Sequence, residues 1–335
     1  MAPAKPLYDL VGFARFLVFT HGFRSYRDIR TELLAEAFRH IYGLPPFPTL
    51  EQLVGVCTSL GIKLSPLPPV SERLLGVNTW HRSGAPQIHM RTDLSTRRAE
   101  TTLGHELREV IENALKRACP WYQRLETSDN RLMKQESDQF AGCLLMQARA
   151  THDRLTETGF DLVRFAAERE RSLPSVILRA RELYHAGGER PGPVAGLWLF
   201  EAPWQDVTAG TATSTELTVR YWAHLSGFSA SKSGNRSARL ASLIFPKKGA
   251  RAGDFLPVKE ALELHQSVVG EREDFDLFGQ HNFVVAAEPI FSGGTPWRAP
   301  VTAVRKDTIH LVKPWLDRLN AATVELAPDE MPVEF

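Results

Sequence analysis

At 335 residues the chain is long enough for two or three domains, and 43% hydrophobic with 24% charged residues is the composition of a globular protein with buried cores. A formal net charge of +1 at pH 7 excludes a global electrostatic case for binding nucleic acid or an anionic membrane. No apolar run is long enough to span a bilayer, the N-terminus lacks the layout of a signal peptide, and Cys57, Cys119 and Cys143 show no metal-type spacing, so the expected compartment is a reducing cytoplasm.

Residues 8–41 carry helical periodicity, with Leu10, Phe13, Leu17 and Phe19 in one run and Ile29, Leu33, Leu34, Phe38 and Ile41 in the next. The stretch from Gly43 to Pro48 ends this unit, which defines an N-terminal helical segment over residues 1–48. The next strong pattern spans residues 94–117, which lack proline. There Leu103, Leu107, Val110, Ile111, Ala114 and Leu115 recur at three- and four-residue spacings, the signature of a helix packed on a core. Asp93 and Ser95 are candidate N-caps, Lys116 and Arg117 suit the last turn, and Gly104 is the only interior breaker.

This helix carries Thr101-Thr102-Leu103-Gly104-His105-Glu106-Leu107-Arg108-Glu109, which reads as the HExxH motif of zinc peptidases with glutamate in place of the second histidine. Residues four apart share a helix face, so His105 and Glu109 can hold one ion while Glu106 points at its bound water as general base. The competing reading is a solvated polar stripe on an amphipathic helix. Glu112 is an additional candidate ligand two turns from His105; otherwise it is a solvated side chain or a partner for Arg108 at spacing four. His89 and His81, further upstream, read first as ordinary partly exposed histidines, with His89 kept as an additional candidate.

A second motif, Glu136-Ser137-Asp138-Gln139-Phe140-Ala141-Gly142-Cys143-Leu144-Leu145-Met146, follows Glu109 after 27 residues, room for a turn and a second helix against the first. With it the chain resembles the ImmA/IrrE family of bacterial metallopeptidases, whose second helix reads E-A-N-x-F-A-x-x-L-L-M-P. Residues 50–64 are similar to the family's helix ending in G-I-x-V, and residues 76–91 to its hairpin. The resemblance covers residues 49 to about 184 and departs at Glu109 and at Gln147, where the family has histidine and proline. It implies a zincin-like metallopeptidase domain over 49–150, with Glu136 as third metal ligand beside His105 and Glu109. It also implies a divalent metal cofactor, zinc first, and a protein substrate, a helix-turn-helix transcriptional repressor cut in a stress, phage or mobile-element response. Replacing an imidazole by a carboxylate makes a Zn²⁺ site neutral rather than singly positive, which blunts water activation and shifts preference towards manganese or iron. The alternative is therefore an inactive peptidase-like regulator that binds a repressor or DNA.

Residues 151–189 show two short helical patterns around a break near Ser172 and Pro174, the place of a helix-turn-helix-like pair in the family. Six Arg stand against six Asp or Glu over residues 153–184, so a packing role is favoured over duplex reading. A Gly- and Pro-rich linker follows, then strand-like runs at 194–200, 217–222 and 283–287, which suggest a C-terminal α+β domain over 190–335. Some radiation-response relatives carry a GAF-like sensory domain in this place. The overall expectation is thus α+β. Residues 226–252 hold Lys232, Arg236, Arg239, Lys247, Lys248 and Arg251 with no acidic residue, a solubilising loop or a contact for nucleic acid or an acidic partner.

Overall fold

The computed structural model describes residues 9–21, 31–69, 74–80, 84–118, 130–184, 192–213, 215–224, 248–272 and 283–321. Among the described residues it is a mixed α+β protein with two sheets, and the chain divides into two units, one up to Thr151 and the other from His152.

In the first unit the two N-terminal runs form α1 (Leu10–His21) and α2 (Thr31–Tyr42). Their apolar faces meet in an aromatic cluster in which Phe38 lies 5.5 Å from Phe13, 4.6 Å from Tyr42 and 6.3 Å from Phe140. Helix α3 (Leu50–Ser59) opens with a capping box: Thr49 Oγ1 accepts from the Gln52 amide, and Gln52 Oε1 accepts from the Thr49 amide. Three strands follow, β1 (Lys63–Leu67), β2 (Gly76–Trp80) and β3 (Pro86–Arg91), ordered β1-β3-β2. β1 runs parallel to β3, and the expected hairpin is the antiparallel pair β2–β3.

Helix α4 (Thr96–Ala118) buries the face read from its spacing: Leu103, Leu107, Val110, Ile111, Ala114 and Leu115 are all fully enclosed. Its first turn is received by the Ser95 carbonyl, which accepts from Ala99 at 2.8 Å, whereas Asp93 is drawn off to pair with Arg91. Gly104 has a packing reason. A Cβ there would stand 3.0 Å from Ala141 Cβ and 3.1 Å from its Cα, so glycine lets α5 (Asn130–Leu145) cross close to α4. The C-terminus of α5 is held by the buried Arg39, whose Nη1 donates to the carbonyls of Cys143 and Leu144, meeting two groups the helix leaves open.

The chain runs through α6 (Ala148–Glu157) into the second unit, which starts with α7 (Leu162–Glu168) and α8 (Leu173–Tyr184). Asp161 caps α7 by accepting from the Arg164 amide at 2.9 Å, and Ser172 Oγ caps α8 by accepting from the Ser175 amide. Leu173, Val176, Ile177, Arg179, Ala180, Leu183 and Tyr184 of α8 are buried, and Leu178 and Arg181 face outward. That pattern is an amphipathic helix with one face packed against the unit.

A six-stranded antiparallel sheet completes the unit, formed by β4 (Val194–Glu201), β5 (Thr218–His224), β6 (Val268–Arg272), β7 (Phe283–Ala287), β8 (Ile290–Ser292) and β9 (Thr295–Arg305). Its main path is β5-β4-β9-β7-β6, with β8 on β9. Helices α9 (Trp204–Thr208), α10 (Leu256–Leu264) and α11 (Lys313–Ala321) accompany the strands. Among the described residues no helix is long and apolar enough to cross a membrane.

One ion-pair network ties this unit together. Arg318 on α11 donates to both carboxylate oxygens of Asp161 and to Glu288 at 2.8 and 2.9 Å. Asp161 and Glu288 are almost wholly enclosed, so removing the guanidinium strands two buried carboxylates. Arg318→Met is therefore expected to lower the unfolding free energy by about 3–5 kcal/mol, read from denaturant melts.

Candidate functional site

The HExxE segment lies where α4 meets β2 and α5, with His105 and Glu109 partly exposed and Glu106 buried. Strand β2 carries every second side chain towards α4 in a step of roughly 6.7 Å, close to the roughly 6 Å of four residues along a helix. The two elements therefore stay matched. Gly76 lies against Thr102 and Glu106, Asn78 against Glu106 and Glu109, and Trp80 under the Arg117 guanidinium at 3.9 Å.

His105 is held from both sides. Its Nδ1 lies 2.8 Å from Asp138 Oδ1 on α5, and its Nε2 lies 3.5 Å from Glu109 Oε1 one turn along α4. Asn78 Nδ2 donates to Glu106 Oε2 at 2.9 Å and to Glu109 Oε2 at 2.5 Å. The Asn113 amide in turn donates to Asn78 Oδ1 at 3.5 Å. Glu106 is only 5% exposed, and burial, reinforced by the charge of Glu109, pushes its pKa above the usual carboxylate range. Glu109 is held below that range by the bond to His105, with burial opposing and Asn78 assisting. Burial disfavours charge on His105, but the bonds to Asp138 and Glu109 and the charges of Asp138 and Glu106 outweigh it and lift its pKa to about 9.

The structure thus brings His105, Glu106 and Glu109 together and adds Asn78 and Asp138. Glu136 lies on α5 two residues before Asp138, a rotation of about 200° around the helix, so the two do not share a face. Burial pushes its pKa up to about 7. Glu112 turns away from the site into an ion pair with Arg108 at 3.2 Å, joined by Lys116 at 3.4 Å. His89 sits on β3 with its Nε2 3.3 Å from Thr79 Oγ1. Of the basic segment, Lys248 and Arg251 are exposed, while Lys232, Arg236, Arg239 and Lys247 lie outside the described residues, as do His81 and Cys119. Among the described residues no group of three His, Cys, Asp or Glu side chains is arranged to hold a metal ion. His105 and Glu109 thus stand together without a third such side chain placed to join them as a metal ligand among the described residues.

The paired helices and the HExx stretch define a peptidase-type domain, and comparison with known proteins agrees. Residues 57–180 match the family model of the IrrE N-terminal-like domain, Peptidase_M78, so this stretch of the chain is similar to the ImmA/IrrE family. No curated protein matches the chain. Among solved structures, a Mycobacterium tuberculosis transcriptional regulator has a similar fold, with a TM-score of 0.52 and 12% identity over 95% of this chain and 89% of that one.

The site carries a pH signature. A histidine with a folded pKa of about 9 against an unfolded 6.5 lends stability that is fully present below pH 6.5 and lost as pH rises through 9. Glu136, raised from 4.5 to about 7, also favours the folded state at low pH, but most of its contribution is lost by pH 7 and the remainder just above it. Between pH 7 and 9 His105 dominates, so melting temperature is expected to fall there, by the equivalent of at most about 3 kcal/mol. Asp138→Asn, which removes the charge facing Nδ1, should flatten that fall in a series of thermal melts across pH.

Proposed function

We propose that this protein is a transcription regulator whose peptidase-type domain binds a protein partner without hydrolysing it. The observation that carries the reading is the phase of α5. Asp138 faces His105, and the position one turn earlier on that face is Lys134, whereas Glu136 lies round the helix. By helical spacing, Lys134 rather than Glu136 is thus the residue that shares the Asp138 face of α5. The similar fold of a transcriptional regulator supports a regulatory role, and the resemblance to the ImmA/IrrE family supports a helix-turn-helix repressor as the partner. Balanced charge over residues 153–184 and the packed face of α8 favour protein over DNA. The second unit takes the sensory, GAF-like role in this reading, and the cytoplasm is its compartment.

A second reading is a metal-dependent endopeptidase acting on such a repressor, with Glu106 as general base. The Asp138–His105 pair favours it, since a carboxylate on Nδ1 is a common way to orient a metal-binding imidazole.

Metal content separates the two. Protein purified without chelator is expected to hold far less than one equivalent of zinc, manganese or iron, and Glu136→Ala is expected to leave that value unchanged. The double substitution Glu109→His, Lys134→Glu is expected to gain about one equivalent of zinc, by completing a two-histidine, one-carboxylate set on the facing helix surfaces. A full equivalent in the native protein that is lost in Glu136→Ala would establish the endopeptidase reading in its place.

A further inference from the structure

We propose that Asn78 is an internal latch for this centre, its carboxamide holding Glu106 and Glu109 together in the place where a cation would otherwise neutralise them. The proposal deepens the non-hydrolytic reading and rests on it. Glu106 and Glu109 are one turn apart on α4 and both face β2, so their like charges repel in a partly dry setting. A carboxamide nitrogen has two hydrogens, and Asn78 gives one to each carboxylate, at 2.9 and 2.5 Å. The two carboxylates set the orientation of the amide, since a flipped amide would turn its oxygen against both. In this orientation Asn78 Oδ1 accepts from Asn113 Nδ2 at 3.5 Å.

The fold is shaped to deliver this side chain. A Cβ at Gly76 would come within 2.7 Å of Thr102 Cγ2 and 3.0 Å of Glu106 Cγ and Oε1, so glycine lets β2 lie close to α4 two residues before Asn78. Together with His105, bound on its far side by Asp138, the amide leaves the centre satisfied by protein groups alone.

The test compares melting temperatures of the native protein, Asn78→Asp and Asn78→Ala, each in EDTA and in millimolar MnCl₂. Asn78→Asp keeps the shape of the side chain, removes both donor hydrogens and adds a third carboxylate. It is expected to melt roughly 5 °C or more below the native protein in EDTA and to recover most of that loss with Mn²⁺. A role in packing alone would produce no such metal dependence. Asn78→Ala should melt lower than native in EDTA, and the native protein should respond to neither addition. If Asn78→Asp behaves as native in both conditions, there is no latch, while the non-hydrolytic reading stands. Should Asn78→Asp fail to fold, a native-like Asn78→Ala overturns the proposal equally. A native protein that is itself destabilised by EDTA and restored by Mn²⁺ overturns the reading beneath it.

Discussion

The first unit depends on how closely α4 and α5 cross. At the crossing a glycine meets an alanine, and even one methyl group on Gly104 would stand 3.0 Å from Ala141 Cβ. His105 follows Gly104 directly and Asp138 precedes Ala141 by three residues, so the contact that sets helix spacing also sets their hydrogen bond. The far end of α5 is fixed by Arg39 at its last carbonyls and by Phe140 in the aromatic cluster with Phe38. The phase of α5 is therefore held along its C-terminal half, from Asp138 to Leu144, and with it which of its side chains can reach α4.

That phase decides how the charges at the centre are balanced. Glu106, Glu109 and Asp138 bring three carboxylates to one small region, with two cation-like partners: a histidine favoured in its protonated form and an amide with two donated hydrogens. A network of this kind is strong when every member is paired, because the same low dielectric that makes an unpaired group costly strengthens each bond made. The carboxylate at position 109 fits that scheme better than an imidazole would. It gives His105 a counter-ion on Nε2 and gives Asn78 its second acceptor.

Much of this was legible in the sequence, for reasons of period. The six apolar residues read in α4 repeat at helical spacing and are all buried, and the runs of α1, α2, β4, β5 and β7 carry their own periodicities. Gly104 reads as a breaker in one dimension because its role is a contact with another helix. Glu136 stands out by its place in a motif, whereas the importance of Asp138 depends on the rotation of α5, which spacing along one helix does not define. Asn78 carries no signal of its own. Its role follows from the step match between a strand and a helix, a property of two elements packed together.

The second unit shows the same principle at a larger scale. The segment that reads as a separate helix-turn-helix-like region is joined to the C-terminal sheet through its own cap: Asp161 starts α7 and also receives Arg318 from the last helix, which reaches Glu288 between β7 and β8. A carboxylate that serves as both N-cap and ion-pair partner couples the start of α7 to the end of the described chain, so neither can move without exposing a buried charge. With one face of α8 buried as well, this pair of helices is part of the core of the unit.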